Sequence, residues 1–298
     1  MELWVPITVA AAFSQNLRFM LQRHLAATGL STGGATFARF VFAAPLAAAL
    51  LAVLLEVREE TLPTAGVRFW AFAIAGGVAQ ICATMLVVAL FSLRSFAVGV
   101  VFKKTEVIQT ALLGLVVLGE RVSATGLLAI AVGVAGVLIL SDPPEGGAGW
   151  RRFANRAAIY GLAAGALFGV SAIGYRGASL ALDGHFLLRS VTTLMWVTVF
   201  QSVAMALWLG WREPGEVTRV LRNWKVTALV GLTGMIGSLG WFTAFTLQNA
   251  AYVKALGQIE LVFSFLASWL VFREKTTTRE LLGTACVVVS IVLLVLAI

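Results

Sequence analysis

The chain has 298 residues, of which 60% are hydrophobic and only 12% are charged, and its formal net charge is +8. Water-soluble domains carry about a quarter charged residues, so this composition excludes an ordinary soluble domain and predicts an all-α membrane protein. A nucleic-acid-binding protein is also excluded, because the Lys and Arg residues are scattered over short connections rather than gathered on one face.

Apolar stretches of about 20 residues, each long enough to cross a hydrocarbon core of roughly 30 Å as a helix, predict ten transmembrane helices. In chain order these spans are 3–23, 32–55, 69–91, 95–118, 123–140, 156–176, 186–209, 226–247, 249–271 and 279–297. The period-two alternation of a membrane barrel is missing from runs such as Leu127–Leu140. The first span has no basic segment before it and no cleavage pattern after it, so we expect a retained helix.

The charges of the loops predict an orientation. Twelve Lys and Arg residues fall in odd-numbered loops and four in even-numbered ones. Because positive loops tend to stay in the cytoplasm, this count puts both termini outside.

Two of the spans are interrupted by charged and amide residues: Lys103, Lys104 and Glu106 in the fourth, and Lys254, Gln258 and Glu260 in the ninth. An ionised group at the bilayer centre costs about 3 kcal/mol or more, so such residues mark either a binding site or a set of ion pairs. Residues three or four apart share a helix face. Lys103 can therefore pair with Glu106, and Lys254 can lie beside Gln258.

The interrupted spans occupy matching positions of an internal repeat. A shift of 154 residues aligns Arg68 with Arg222, Trp70 with Trp224, Glu106 with Glu260, and Glu120 with Glu274. We divide the chain into a first repeat, 1–141, a linker, 142–155, and a second repeat, 156–298. Five spans are an odd number, so the second repeat must enter the membrane from the opposite side. This predicts two five-helix inverted-topology repeats, with a site at their interface near the midplane that brings Glu106 and Glu260 near the lysines.

Ten residues are candidates for a substrate cavity: Lys103, Lys104, Glu106, Lys254, Gln258, Glu260, Gln15, Arg18, Trp241 and Tyr252. Gln15 and Arg18 belong to one polar stripe of the first span, and the two aromatic residues suit an apolar wall. Ammonium and carboxylate groups together fit the two charged ends of a zwitterion. The alternative is a closed set of salt bridges that only fixes helix packing.

Other arginines and glycines have simpler interpretations. Arg18 and Arg176 are long enough to extend to the membrane surface, and this is our first interpretation of both. Arg39 lies near a helix end, where we expect an orientation or capping role, with a cavity role as the alternative. The Gly161, Gly165 and Gly169 stripe predicts close contact of the sixth span with a neighbouring helix.

The ends of the two repeats share a pattern. Leu113–Leu140 and Leu266–Leu296 each contain a turn with a glutamate, Glu120 or Glu274, followed by a Gly-containing helix. This pattern resembles the EamA-type drug/metabolite transporters, and the layout is similar to that of the YddG-type amino-acid exporters. The resemblance implies ten helices in two halves and a place in the bacterial inner membrane. It also implies cytoplasmic termini, and this orientation disagrees with the one that the loop charges predict.

We therefore predict a secondary transporter that exports small polar metabolites, most of all amino acids, by alternating access. Glu106 and Glu260 are candidate carriers of a coupling proton. We expect the protein to work as a monomer embedded in the lipid bilayer. The alternatives are a multidrug exporter of lipophilic cations from the same superfamily and, less favoured, a selective channel. We expect no enzyme, cofactor or metal site, because both Asp residues lie in loops and the two His residues are far apart.

Overall fold

The computed structural model describes residues 2–27, 29–90, 93, 102–140, 156–263 and 277–296, and the regular elements among them are helical. The first repeat contains α1 (Trp4–Ala27), α2 (Thr32–Val41), α3 (Ala43–Arg58), α4 (Val67–Leu90), α5 (Glu106–Leu113), which continues into a π-helical turn (Gly114–Leu118), and α6 (Ala124–Leu140). The second repeat contains α7 (Arg156–Leu180), α8 (Phe186–Arg212), α9 (Glu216–Arg222), α10 (Trp224–Leu247), α11 (Ala250–Leu256) and α12 (Thr278–Leu296).

Five helical segments of the described chain are long and apolar enough to cross a membrane. They are α4, α7, α8, α10 and Thr32–Arg58, which comprises α2 and α3. Three further apolar segments are shorter: Glu106–Leu118, α6 and the Leu281–Leu296 part of α12. The predicted all-α membrane class is confirmed at this level. The number of ten spans stays a prediction, and the predicted linker lies outside the described residues.

The helices of the two halves pack in related pairs. α4 packs along α7, and α1 packs along α10. The 154-residue shift relates α1 to α7 and α4 to α10, so these two pairs are equivalent. In addition, α3 packs against its own counterpart α8, and α6 against its counterpart α12. This pattern of pairs is the one expected of two halves related by a pseudo-twofold axis.

Glycines permit the close helix crossings. A Cβ atom at Gly174 of α7 would lie 2.7 Å from the Cα of Gly76 on α4, and one at Gly240 of α10 would lie 2.8 Å from the Cβ of Ala11 on α1. From the predicted glycine stripe, Gly165 faces the turn before α5 and the start of that helix, and Gly169 faces its second half. Side chains at these positions would push the helices apart.

Both interrupted spans are broken, so the prediction of continuous helices there is wrong. In the fourth span a turn at 104–105 precedes α5, and in the ninth a turn at 257–258 separates α11 from a helical segment at 259–263. The two turns occupy nearly equivalent positions in the repeat. At both turns the chain is tightened, because Thr105 donates to the carbonyl of Phe102 and Gln258 to that of Ala255, three residues earlier in each case. Such irregular backbone at membrane depth is tolerated only inside the protein or beside a water-filled space. The outer parts of these spans, 95–101 and 264–271, lie outside the described residues.

Candidate functional site at the helix breaks

Each helix break places charged side chains against the other half of the protein. Lys104 forms an ion pair with Glu260, and the Nζ of Lys254 lies 3.8 Å from the Oε1 of Glu106. All four residues are buried. The pairs are reciprocal, because each half contributes one lysine and one glutamate. The sequence prediction that both glutamates lie near these lysines is confirmed.

The predicted pairing of Lys103 with Glu106 is wrong, since the partner of Glu106 is Lys254. The turn at 104–105 lies between the two residues, so they do not share the face of one continuous helix. The Nζ of Lys103 lies instead between two aromatic rings, 5.3 Å from the centroid of Phe19 and 5.2 Å from that of Phe168.

Aromatic rings surround the basic groups from both halves. The Nζ of Lys254 is 5.5 Å from the centroid of the same Phe168 ring and 5.1 Å from that of Trp241. A desolvated cation over an aromatic face gains about 1–2 kcal/mol. The Phe168 ring therefore lies close to one lysine from each repeat, Lys103 and Lys254. The sequence did not single it out, because one Phe among many on an apolar helix carries no signal.

Several buried polar atoms in this region have no hydrogen-bond partner within the described part of the chain. They are Glu106 Oε2, Gln109 Oε1, Gln258 Oε1 and Trp241 Nε1. An unsatisfied buried group costs about 1–3 kcal/mol, so these atoms are available to a ligand. From the first helix, Gln15 donates to Glu260 Oε2 at 3.3 Å.

The aromatic candidates Trp241 and Tyr252 differ in what they contact. Trp241 packs on the second break, where a Cβ at Gly257 would lie 2.5 Å from the indole ring. The hydroxyl of Tyr252 instead accepts a hydrogen bond from the Ser123 backbone N–H at 2.9 Å, and the ring packs on Gly126. Tyr252 thus fixes the start of α6, while Trp241 belongs to the surroundings of the ion pairs.

Arg18 lies in a second buried basic group together with Arg39. Its side chain is 2% exposed, so the interpretation that it extends to the membrane surface is wrong. Its Nη1 donates to Gln22 Oε1 at 3.0 Å, and Gln22 donates in turn to the backbone oxygen of Ala35 at 3.1 Å. Arg39 is 4% exposed and packs beside it against Gly234.

Arg176 does not extend to the surface either, because it binds groups inside the bundle. Its Nε lies 2.5 Å from Glu120 Oε1, and its Nη1 donates to the backbone oxygens of Phe245 at 2.6 Å and Gln248 at 2.7 Å. Glu120, one of the residues that align in the internal repeat, thereby positions Arg176, and Arg176 binds the end of α10. Its counterpart Glu274 lies outside the described residues.

Three comparisons place the chain among known proteins. Residues 2–142 and 155–296 each match the EamA-like transporter family. The riboflavin transporter of Rhizobium johnstonii is 28% identical over 173 residues, which is 57% of this chain and 52% of that protein, so the match spans about half of the relative's length. One solved crystal structure has a TM-score of 0.72 and covers 98% of this chain and 96% of its own. At 13% identity, that likeness shows the fold alone.

Proposed function

We propose a site and a substrate class for this chain, which belongs to the EamA-like transporter family and is therefore a multi-pass membrane transporter and not an enzyme. The observation that carries the proposal is the reciprocal pairing of Lys104 with Glu260 and of Lys254 with Glu106 at two helix breaks. In secondary transporters, substrates bind near the bilayer midplane where discontinuous helices of the two repeats meet. The substrate of this protein binds at these breaks.

The ion pairs link the site to the transport step. Each pair joins residues of opposite halves, so moving one inverted repeat against the other on one side of the membrane separates a buried lysine from a buried glutamate. A substrate shifts such an equilibrium only through different affinities for the two states. A ligand whose polar groups replace the lost partners binds the separated state more tightly and therefore has this property. This coupling of binding to separation of the ion pairs supports alternating access between the halves 1–141 and 156–298.

A riboflavin-like heteroaromatic metabolite is the first candidate substrate. The support is the curated relative, which transports riboflavin, together with the composition of the site. Phe168 and Trp241 offer aromatic faces, and Gln109 and Gln258 offer amide oxygens without described partners. Planar ligands that carry hydrogen-bonding groups are held by this combination of apolar walls and a few polar groups.

An amino acid is the second candidate, with export as the direction. It is favoured because ammonium and carboxylate groups lie in one buried cluster and complement the two ends of a zwitterion. A lipophilic cation fits poorly. Five buried basic side chains face two carboxylates, those of Glu106 and Glu260, in this core: Arg18, Arg39, Lys103, Lys104 and Lys254.

Transport by the purified protein in proteoliposomes tests the proposal. The panel contains riboflavin, the amino acids and a quaternary ammonium compound, each with and without an imposed pH gradient. We expect saturable transport of riboflavin or of an amino acid. Glu106→Gln and Lys103→Ala should each reduce it about tenfold or more, since one charge-assisted contact contributes at least about 1.4 kcal/mol.

The control variant is Arg222→Gln, which removes an exposed arginine at the end of α9, a helix that packs mainly on α2, α8 and α10. It should transport like the unmodified protein. Saturable transport of the quaternary ammonium compound alone would refute the proposed substrate class. Unchanged transport by both site variants would refute the proposed site.

A further inference from the structure

The buried pair of arginines carries an inference about the charge of the substrate. Arg18 and Arg39 are 2% and 4% exposed, and neither forms an ion pair with a carboxylate among the described residues. The buried acids of the described chain have other basic partners. Glu106 and Glu260 pair with lysines, and Glu216 pairs with Arg219.

The aliphatic stems of the two arginine side chains converge from different helices onto one glycine. A Cβ at Gly234 would lie 3.2 Å from Arg39 Cγ and 3.3 Å from Arg18 Cδ. Arg18 comes from α1 and Arg39 from α2, while Gly234 belongs to α10 of the other half. A larger residue at this position would displace both arginine stems, so the site is built by the contact of the two repeats.

The hydrogen-bond partners of Arg39 are neutral. Its Nη1 donates to Thr84 Oγ1 at 3.1 Å and its Nη2 to Ser238 Oγ at 3.4 Å. Its Nε is buried and has no partner in the described part of the chain. Two adjacent buried cations without an anion are strongly unfavourable, and hydroxyl groups do not neutralise them.

The arginine pair adjoins the helix breaks through one aromatic ring. The guanidinium carbon of Arg18 lies 4.3 Å from the centroid of Phe19, and the Nζ of Lys103 lies 5.3 Å from the same centroid. The two cationic groups therefore lie no farther apart than the sum of these two distances, 9.6 Å. This distance is within the size of a small metabolite.

We propose that Arg18 and Arg39 bind an anionic group of the transported substrate, either a carboxylate or a phosphate monoester. The guanidinium group is a planar fork of donors that matches both oxyanions with two parallel hydrogen bonds. The inference rests on the proposed function and narrows it. Among flavins it favours a flavin with a 5′-phosphate over riboflavin itself, and among amino acids it requires the free α-carboxylate.

Matched pairs of substrates in proteoliposome transport test the inference. One pair is riboflavin 5′-phosphate and riboflavin, and the other is an amino acid and its methyl ester. The unmodified protein should prefer the anionic member of one pair by about tenfold to a hundredfold in apparent affinity, as charge-assisted hydrogen bonds predict. Which pair shows the preference distinguishes a phosphate from a carboxylate.

Variants of Arg39 assign the preference to this site. Arg39→Gln should bring the ratio of the two affinities close to one, Arg39→Lys should give an intermediate ratio, and Arg222→Gln should leave it unchanged. If Arg39→Gln does not fold, Arg39→Lys decides, because it keeps the charge and removes the planar fork. The inference is overturned if the unmodified protein transports the charged and the neutral compound of each pair equally. It is also overturned if the Arg39 variants keep the affinity ratio of the unmodified protein. Either result leaves the proposed function standing.

A free inorganic anion could bind the two arginines in place of an anionic group of the substrate. A second measurement distinguishes these two ligands. Inorganic phosphate at constant ionic strength should compete with the anionic substrate. If phosphate instead stimulates transport of the neutral member, the arginines hold a free counter-ion and the inference is overturned. If no compound is transported, the proposed function fails. In that case, thermal stabilisation by riboflavin 5′-phosphate that Arg39→Gln abolishes still supports the arginine site, and no stabilisation overturns it.

Discussion

Removing one partner of the Lys104–Glu260 ion pair should destabilise the protein far more than removing both. Lys104→Met leaves the buried Glu260 carboxylate without its ammonium partner, and Glu260→Gln leaves the buried ammonium without its carboxylate. Breaking a buried pair from one side costs about 3–5 kcal/mol, whereas replacing both partners by uncharged residues of similar volume is close to neutral. We therefore expect each single variant to lose about 3 kcal/mol or more in the free energy of unfolding, and the double variant to lose about 1 kcal/mol.

The assay is equilibrium unfolding of the purified protein in mixed detergent, followed by tryptophan fluorescence. A double-mutant cycle then gives the interaction energy, which should exceed about 2 kcal/mol. The matched control is the partly exposed pair of Arg58 and Glu60, whose charged atoms lie 3.8 Å apart. An exposed pair contributes about 0–1 kcal/mol. Additive losses in the Lys104 and Glu260 variants, or a coupling no larger than that of the control pair, would refute the reasoning.

Two further substitutions test the packing around the site. Gly165→Ala places a Cβ 2.9 Å from the backbone oxygen of Lys103, so we expect a loss of stability of about 1–3 kcal/mol and slower transport. Gly210→Ala meets nothing within 4 Å and should stabilise α8 by up to about 1 kcal/mol; equal effects of the two would contradict the packing argument. Tyr175→Phe removes the hydrogen bond from the tyrosine hydroxyl to Gln80 Oε1 at 2.8 Å. It should cost about 1 kcal/mol in the same unfolding assay, and an unchanged unfolding free energy would show that this bond is not stabilising.

The internal repeat made part of the site predictable. Glu106 and Glu260 align at one offset, and helices related by a pseudo-twofold axis meet near that axis. This argument places both glutamates beside the lysines of the opposite half. The exact partners were not predictable, because the i, i+3 rule assumes a continuous helix and the chain turns at 104–105. Gly257, which aligns with Lys103, is a sequence signal of the second break, because a glycine inside a helical pattern weakens the helix.

The burial of Arg18 and Arg39 could not be determined from their positions in the sequence alone. Arg18 lies near the C-terminal end of a predicted span and Arg39 near the end of a short helix, positions from which a side chain often reaches the membrane surface. Whether it does so depends on which helix covers it. Here α10 covers both, with Gly234 at the contact. That contact joins residues some 200 positions apart, as the hydrogen bond from Arg39 to Ser238 shows with its separation of 199.

The central claim is that substrate binds where the two broken helices meet, and accessibility of one engineered thiol tests it most directly. Gln258 is buried at the second break, and its Oε1 has no partner among the described residues. Gln258→Cys is made in a background in which Cys82 and Cys286 are replaced by alanine. We predict that the thiol reacts with a membrane-impermeant reagent added to either side. Transported substrate at ten times its Kd should slow this reaction about tenfold by occupying the site. A thiol that reacts from neither side, or whose reaction rate is unaffected by saturating substrate, would contradict the account.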